Sequence, residues 1–169
     1  MEEKNLKIIN TYEELKEPAE IYNKCLFASE EKMKLIKIPS LKYFIYLLQL
    51  FQAFTNRINQ IKSNIKEIKE KLKDFEGNNK IDALEKLDKI MKQLVSFEKE
   101  AKERYEYYRI YLINIARESD NLGNETAKNV YIKTCEGIIK TQIEFNMKCE
   151  KQFLIIKDDI NKIKNIFNI

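Results

Sequence analysis

The chain has 169 residues, of which 44% are hydrophobic and 34% charged, with no histidine, three glycines, two prolines and a net charge of +4. This length suits one domain, and the apolar content is sufficient for a core. So few glycines and prolines exclude a fold rich in tight turns, whereas abundant lysine, glutamate, isoleucine and leucine at helical spacing indicate long helices. The sequence therefore predicts an all-α protein.

The N-terminal segment predicts a short first helix. Thr11 and Glu14 are spaced as a capping box, so a helix is expected to begin near them. Pro39 disfavours helical geometry in the residue before it, and Ser40 can cap the helix that follows. The first helix is therefore expected over about residues 12–38.

Three longer helices are predicted after it. The second is expected over about residues 41–75, because Gly77-Asn78-Asn79 is the strongest turn signal in the sequence. The third is expected over about 81–118, where the polar stretch 119–124 ends it, and the fourth over about 125–167. We assign all four helices to a single domain, residues 1–169.

Apolar residues in the three long helices recur at alternating spacings of three and four, the periodicity of coiled-coil seams. The predicted seams are Ile58, Ile61, Ile65, Ile68, Leu72 and Phe75; then Leu87, Met91, Leu94, Phe97, Ala101, Tyr105, Tyr108, Leu112 and Ile115; and finally Tyr131, Cys135, Ile138, Gln142, Phe145, Cys149, Phe153, Ile156, Ile160 and Ile163. Helices of this length are about 50–65 Å long. The expected architecture is an elongated, antiparallel three-helix coiled coil.

One segment does not fit a single seam. Residues 43–56 carry no charge, and residues 41–54 are apolar on every side of the helix, so packing within one chain is not expected to cover them. A membrane span needs about 20 apolar residues, which this segment lacks. A dimer interface is favoured over a helix lying on a bilayer, because interfacial helices keep a charged face. The predicted interface residues are Tyr43, Phe44, Leu47, Leu48, Phe51 and Phe54.

Two blocks of sequence carry a family resemblance. The first is LKYFIYLLQ at residues 41–49 with AFTNR at 53–57, and the second is KNVYIKTCE at 128–136 with TQ at 141–142 and CEKQFL at 149–154. In this order they resemble two segments of the sorting-nexin BAR domains associated with retromer. Those segments are Leu-x-x-Tyr-x-x-Leu-Leu with Ala-Phe-x-x-Arg, and Lys-Asn-x-x-Ile-Lys-Tyr-Leu-Glu with a later Gln and Trp-Glu-x-Phe-Leu. Cys149 stands where that family often has the tryptophan.

The resemblance implies a fold and a function. BAR domains are antiparallel three-helix coiled coils that dimerise through their middle into a curved shell, whose basic concave side and tips sense or induce membrane curvature. The expected protein is then a homodimer, or a heterodimer with another BAR-type protein, with anionic lipids and a trafficking coat as partners. It would be cytoplasmic, peripheral on the endosomal membrane, and would act in endosomal protein transport.

Lysines near the predicted turn are the candidate membrane contacts. They are Lys62, Lys66, Lys69, Lys71, Lys73 and Lys80. Each lysine near an anionic leaflet contributes about 1 kcal/mol, and a dimer doubles the number of contacts. Acidic residues are interspersed among them, however, and an alternating-charge face is also typical of a merely solvated surface.

Two other functions stay open. One is a coiled-coil scaffold that binds a protein partner through its apolar middle without touching lipid. The other is a helical toxin or pore former that inserts residues 41–54 into a bilayer.

The residue inventory argues against catalysis. Without histidine the chain lacks the commonest general base and metal-binding imidazole, and it has no glycine-rich phosphate loop, so we predict no enzyme and no cofactor. The tyrosines Tyr105, Tyr107, Tyr108 and Tyr111 are interpreted as core and interface packing. Basic and aromatic residues do not interleave as in nucleic-acid modules, so no nucleic acid is expected as a partner.

Cysteine usage and the N-terminus point to a reducing compartment. Cys135 and Cys149 would lie roughly 21 Å apart on one helix, too far for a disulfide. A bridge from Cys25 to either of them stays geometrically open, but all three are interpreted as small buried hydrophobes. Met1-Glu2-Glu3 lacks the basic start of a secretory signal, so none is predicted.

Overall fold

The computed structural model describes residues 39–122 and 124–169, and within these ranges it contains long helices and no strand. Helix α1 is Pro39–Leu72, α2 is Asn78–Leu122 and α3 is Glu125–Phe167, with 34, 45 and 43 residues. The all-α prediction is confirmed over this part of the chain. The helix predicted at 12–38, and Cys25 within it, lie outside the described residues.

The start of α1 differs slightly from the prediction. The helix begins at Pro39, so Ser40 lies inside its first turn instead of capping it. Proline is well suited to a first turn because its missing N–H has no partner there in any case, and its fixed φ already matches a helix.

The connection between α1 and α2 lies three residues earlier in the chain than predicted. α1 ends at Leu72, and the backbone N–H of Phe75 donates to the Leu72 carbonyl at 3.1 Å. Gly77 has a φ of 105°, which only glycine adopts without strain, and α2 begins at the next residue, Asn78. The left-handed glycine therefore lets the chain enter α2 directly, three residues before the predicted start at Ile81.

The connection between α2 and α3 is shorter than the polar stretch 119–124 predicts. α2 continues to Leu122, through most of the stretch 119–124, and α3 begins at Glu125 as predicted. Serine, asparagine and aspartate disfavour a helix interior by only about 0.7 kcal/mol each, and helix cooperativity can exceed that cost. The last turn of α3 closes with the Ile169 N–H donating to the Lys164 carbonyl at 3.0 Å.

The buried residues follow the predicted seams closely. All ten predicted seam residues of α3, from Tyr131 to Ile163, are buried. In α2 the seam differs locally, because Ile90 is buried while Met91 is only half-buried, and Ala83 extends the seam towards the start of the helix. The predicted spacing of three and four residues between core positions is therefore confirmed, with a one-residue shift at Ile90.

The chain divides into two compact units. The first unit extends to Phe51 and includes Arg104–Ile143, and the second comprises Gln52–Glu103 and Glu144–Ile169. The core of the first unit contains Ile45, Leu47, Leu48, Tyr105, Leu112, Tyr131, Cys135 and Ile138. In the core of the second unit, Phe153 contacts the rings of Phe54 and Phe97, with centroids 5.6 and 6.0 Å away.

Cross-helix contacts give the helix directions in the second unit. Lys62 and Lys69 of α1 pair with Glu98 and Asp88 of α2, so residue numbers rise in one helix as they fall in the other. α1 and α2 are therefore antiparallel there. The elongated, BAR-like shape and the dimer stay predictions.

Candidate functional site

The charge-free segment of α1 is more enclosed than the sequence indicates. In the first unit, Ile45, Leu47 and Leu48 are buried, and the other described side chains between 43 and 51 are at least half-buried. In the second unit, Phe54 is buried as well. The expectation that one chain cannot cover this segment is therefore wrong for these four residues. The cover comes from distant parts of α2 and α3, which no local pattern reveals.

The predicted interface residues mainly serve the chain's own packing. In the first unit, Phe51 stacks on Tyr105 with ring centroids 4.6 Å apart and planes 18° apart. Leu47 and Leu48 lie in the core of the same unit, and Phe54 packs against Phe145 in the second unit. The Phe44 side chain lies outside the described residues. A role for these residues in a dimer stays a prediction. Among those whose side chains the structure describes, the partly exposed Tyr43 and Phe51 still offer surface.

Tyr43 makes a polar contact across the first unit. Its hydroxyl donates towards Glu136 Oε1 at 3.5 Å, which is long for such a bond. Partial burial, and after it the negative charge of Glu136, raise the pKa of Tyr43 above its usual value. The phenol therefore keeps its proton near neutral pH and acts as a donor to the carboxylate.

The sequence blocks 41–49 and 128–136 meet at this position. Tyr43, Leu47 and Leu48 belong to the first block, and Tyr131, Cys135 and Glu136 to the second. Leu47 and Leu48 share one core with Tyr131 and Cys135, and Tyr43 contacts Glu136 beside it. Two stretches some 90 residues apart thus pack side by side.

Most of the predicted membrane lysines have an acidic partner within the chain. Lys62 pairs with Glu98, Lys69 with Asp88, Lys71 with Glu67 and Lys73 with Glu70. These four pairs show that part of the lysine-rich surface is an internally neutralised face, as expected of a solvated surface.

The two remaining lysines are placed differently. Lys66 is exposed and has no ion pair among the described residues, and Lys80 donates to the Lys73 carbonyl at 3.5 Å.

The pair of Lys71 and Glu67 affects the titration of the carboxyl group. The Lys71 ammonium lowers the pKa of Glu67, first by its hydrogen bond and then by its charge. Exposed pairs of this kind are weak because water and salt screen them, so an anionic surface can compete for the lysines.

The tyrosine cluster on α2 divides into buried and exposed members. Tyr105 is buried and Tyr108 half-buried, which agrees with core packing. Tyr107 and Tyr111 are exposed instead, and their rings lie parallel with centroids 6.2 Å apart. With exposed Ile110 between them they form an apolar surface on the first unit.

A second apolar surface was not predicted from the sequence. Met147, Leu154 and Ile155 are exposed on α3 in the second unit. The run Phe153-Leu154-Ile155-Ile156 is the signal that could have revealed it, because a seam needs only the first and last of these four residues.

Several kinds of site are absent from the described part of the chain. It holds no group of three or more carboxylate or thiol ligands placed to bind a metal ion. Across residues 39–122 and 124–169, none of the helices combines the length and the apolar character that crossing a bilayer requires.

Comparison with known proteins returns no match to a protein-family model, a curated protein or a solved structure. The described residues form three helices, with exposed lysines near the end of α1 and exposed apolar side chains on α2 and α3.

Proposed function

We propose that this chain is a dimer-forming, non-enzymatic protein of the sorting-nexin BAR type that binds curved anionic membrane in endosomal trafficking. The observation that carries the proposal is the packing of the two sequence blocks against each other. Leu47 and Leu48 from the first block and Tyr131 and Cys135 from the second share a core. The resemblance predicts that these two blocks share one core, and their packing agrees with that prediction.

Lysines around the turn between α1 and α2 support the membrane part of the proposal. Lys66, Lys71 and Lys73 near the end of α1 are exposed, and Lys80 lies in the first turn of α2. Their acidic partners are mostly exposed too, so the existing ion pairs are weak and can be exchanged for lipid phosphates. Several such exchanges, doubled in a dimer, sum to useful binding.

Co-sedimentation with vesicles tests this function. The full chain is incubated with vesicles of phosphatidylserine and phosphatidylcholine, and with phosphatidylcholine vesicles alone. We expect salt-sensitive binding to the anionic vesicles, lost when Lys69, Lys71, Lys73 and Lys80 are all changed to Glu.

A matched control carries the same change of charge on another helix. Lys128, Lys133, Lys140 and Lys148 are exposed on α3, and changing all four to Glu should leave most of the binding intact. Equal loss of vesicle binding in both variants would mean that any lysine on the chain attracts the vesicles, and would contradict a membrane site at the turn. No binding by the wild-type chain would overturn the membrane function.

Dimer formation is tested separately by sedimentation equilibrium. The proposal expects about twice the 20.3 kDa mass of one chain at micromolar concentration. Charged substitutions at Leu48 do not give a clean test, because this side chain lies in the chain's own core. A chain that stays monomeric, alone and with every vesicle, contradicts the homodimer.

The second candidate is a scaffold that binds a protein partner and no lipid. The exposed surface of Tyr107, Ile110 and Tyr111 favours it, because aromatic residues are enriched in protein interfaces. This surface, and not the covered segment of α1, would then receive the partner. The vesicle experiment separates the two functions, since a scaffold of this kind binds neither vesicle preparation.

A further inference from the structure

The outward side of α3 in the second unit has an apolar centre. Leu154 and Ile155 are each 56% exposed, and Met147, two turns before Leu154, is 60% exposed. These side chains stand beside the buried seam residues Phe153 and Ile156 and take no part in that core. Large apolar side chains grouped on one side of a helix often mark a contact with another molecule.

Charged residues of opposite sign flank this centre. Lys151 lies about one turn before Leu154 and Asp158 about one turn after it, and both are exposed. Since they are seven residues apart, they project on the same side of α3. Lys151 has no ion pair among the described residues, whereas Asp158 pairs only with exposed Lys162, at 2.8 Å.

We propose that this surface binds the same surface of a second copy of the chain, with the two α3 helices antiparallel and the two-fold axis between Leu154 and Ile155. Residues related by this axis have numbers that add up to 309, so Leu154 lies opposite Ile155 of the second copy. The same rule places Lys151 level with Asp158 of the second copy. Two symmetric ion pairs therefore enclose Leu154 and Ile155 of both copies, as a self-complementary interface requires, while Met147 lies outside them, level with Lys162 of the second copy.

The charges decide the orientation and the kind of partner. A parallel arrangement would place Lys151 beside Lys151 and Asp158 beside Asp158, and like charges in register repel. An anionic bilayer is disfavoured as the partner because acidic Asp158 and Asp159 lie next to Lys162 on this stretch. The surface complements itself better than it complements lipid.

The expected contact is weak. Three apolar side chains per copy bury less than the roughly 1,200 Å² of a stable interface. Self-association through this surface therefore becomes visible only towards millimolar concentration, or sooner where a second contact already holds copies together. The inference does not depend on membrane binding or on a dimer formed elsewhere on the chain.

Charge exchange tests the contact directly. Sedimentation equilibrium of the full chain is measured at low salt from micromolar to millimolar concentration. Lys151→Glu and Asp158→Lys each turn two attractions into two repulsions, so each should lower the association constant about ten-fold. The double variant restores the opposite charges and should return it to near the wild-type value.

A control on another helix separates this contact from a general charge effect. Lys92→Glu makes the same change as Lys151→Glu at an exposed position of α2, so the association constant should stay within about two-fold of wild type. Unfolding midpoints of all variants report whether the fold is intact.

Two results overturn the inference: no self-association at millimolar concentration, or single variants that the double variant fails to rescue. A dimer that forms elsewhere responds little to any of these changes. That outcome overturns the α3 contact and leaves the dimer of the proposed function standing.

Discussion

Arg57 and Glu150 form a two-pronged ion pair that joins α1 to α3 in the second unit. The Arg57 Nη2 atom lies 2.9 Å from Glu150 Oε1, and Nε lies 3.3 Å from Oε2. This fork geometry is the strongest form of an arginine–carboxylate contact. Both side chains are partly exposed, so water and salt weaken the pair.

Glu150→Gln should lower the free energy of unfolding by about 0.5–1 kcal/mol, because it removes the charge and keeps the shape. This loss of stability should be smaller at high salt, which screens the ion pair. Urea unfolding of wild type and variant at low and high ionic strength measures the difference. Glu103→Gln is the control, since Glu103 faces Lys99 at 3.9 Å with both side chains well exposed, and no measurable loss is expected there. Equal losses in the two variants would refute the special role of the Arg57 pair.

Neighbouring positions on α3 should respond very differently to truncation. Phe153 is buried and contacts two other rings, so Phe153→Ala should cost about 3–5 kcal/mol. Leu154 is exposed, so Leu154→Ala should change stability by less than about 0.5 kcal/mol. Thermal unfolding of both variants makes the comparison. A large loss at Leu154 in dilute solution would contradict its exposure.

Two glycines should respond with opposite signs to the same change. Gly77 has a φ of 105°, so Gly77→Ala should destabilise the chain by about 1–2 kcal/mol. Gly137 lies inside α3 with open space where a Cβ would stand, so Gly137→Ala should stabilise it by about 0.5–1 kcal/mol. Urea unfolding of each variant measures the change. Stability changes of the same sign in the two variants would contradict the difference in backbone conformation between Gly77 and Gly137.

The Cys135 thiol should make stability depend on alkaline pH. Burial, as the main cause, raises the pKa of Cys135 from its ordinary 9.0 to about 11. Between these values the thiol ionises in the unfolded chain but keeps its proton in the folded one. Its contribution to stability is therefore complete below pH 9.0 and is lost as the pH rises towards about 11.

Cys135→Ala provides the comparison, because every other titrating group stays in place. From about pH 8 to about pH 10.5 the wild-type chain should lose up to about 2 kcal/mol more than the variant. Urea unfolding at the two pH values measures this difference. Parallel losses in both proteins would mean that the thiol ionises equally easily in the folded chain.

Much of the fold could be predicted from local pattern alone. The ten seam positions of α3 were predicted and are buried, because a spacing of three and four places apolar residues on one side of a helix whatever covers it. The turn at Gly77 was predicted too, since only glycine suits the backbone there. The helix ends were predicted less well, as at Leu72 and Leu122, because end positions depend on small energies.

The sequence by itself determined the helices, their seams and the turn between α1 and α2. Only the tertiary structure decided which apolar residues are covered, as the burial of Leu47 and Leu48 and the exposure of Leu154 show. It also decided which lysines have acidic partners, as in the contact of Lys69 with Asp88. The physical reason is the same in both cases, because burial and ion pairing depend on residues far away in the chain, whereas helical periodicity is a property of neighbours.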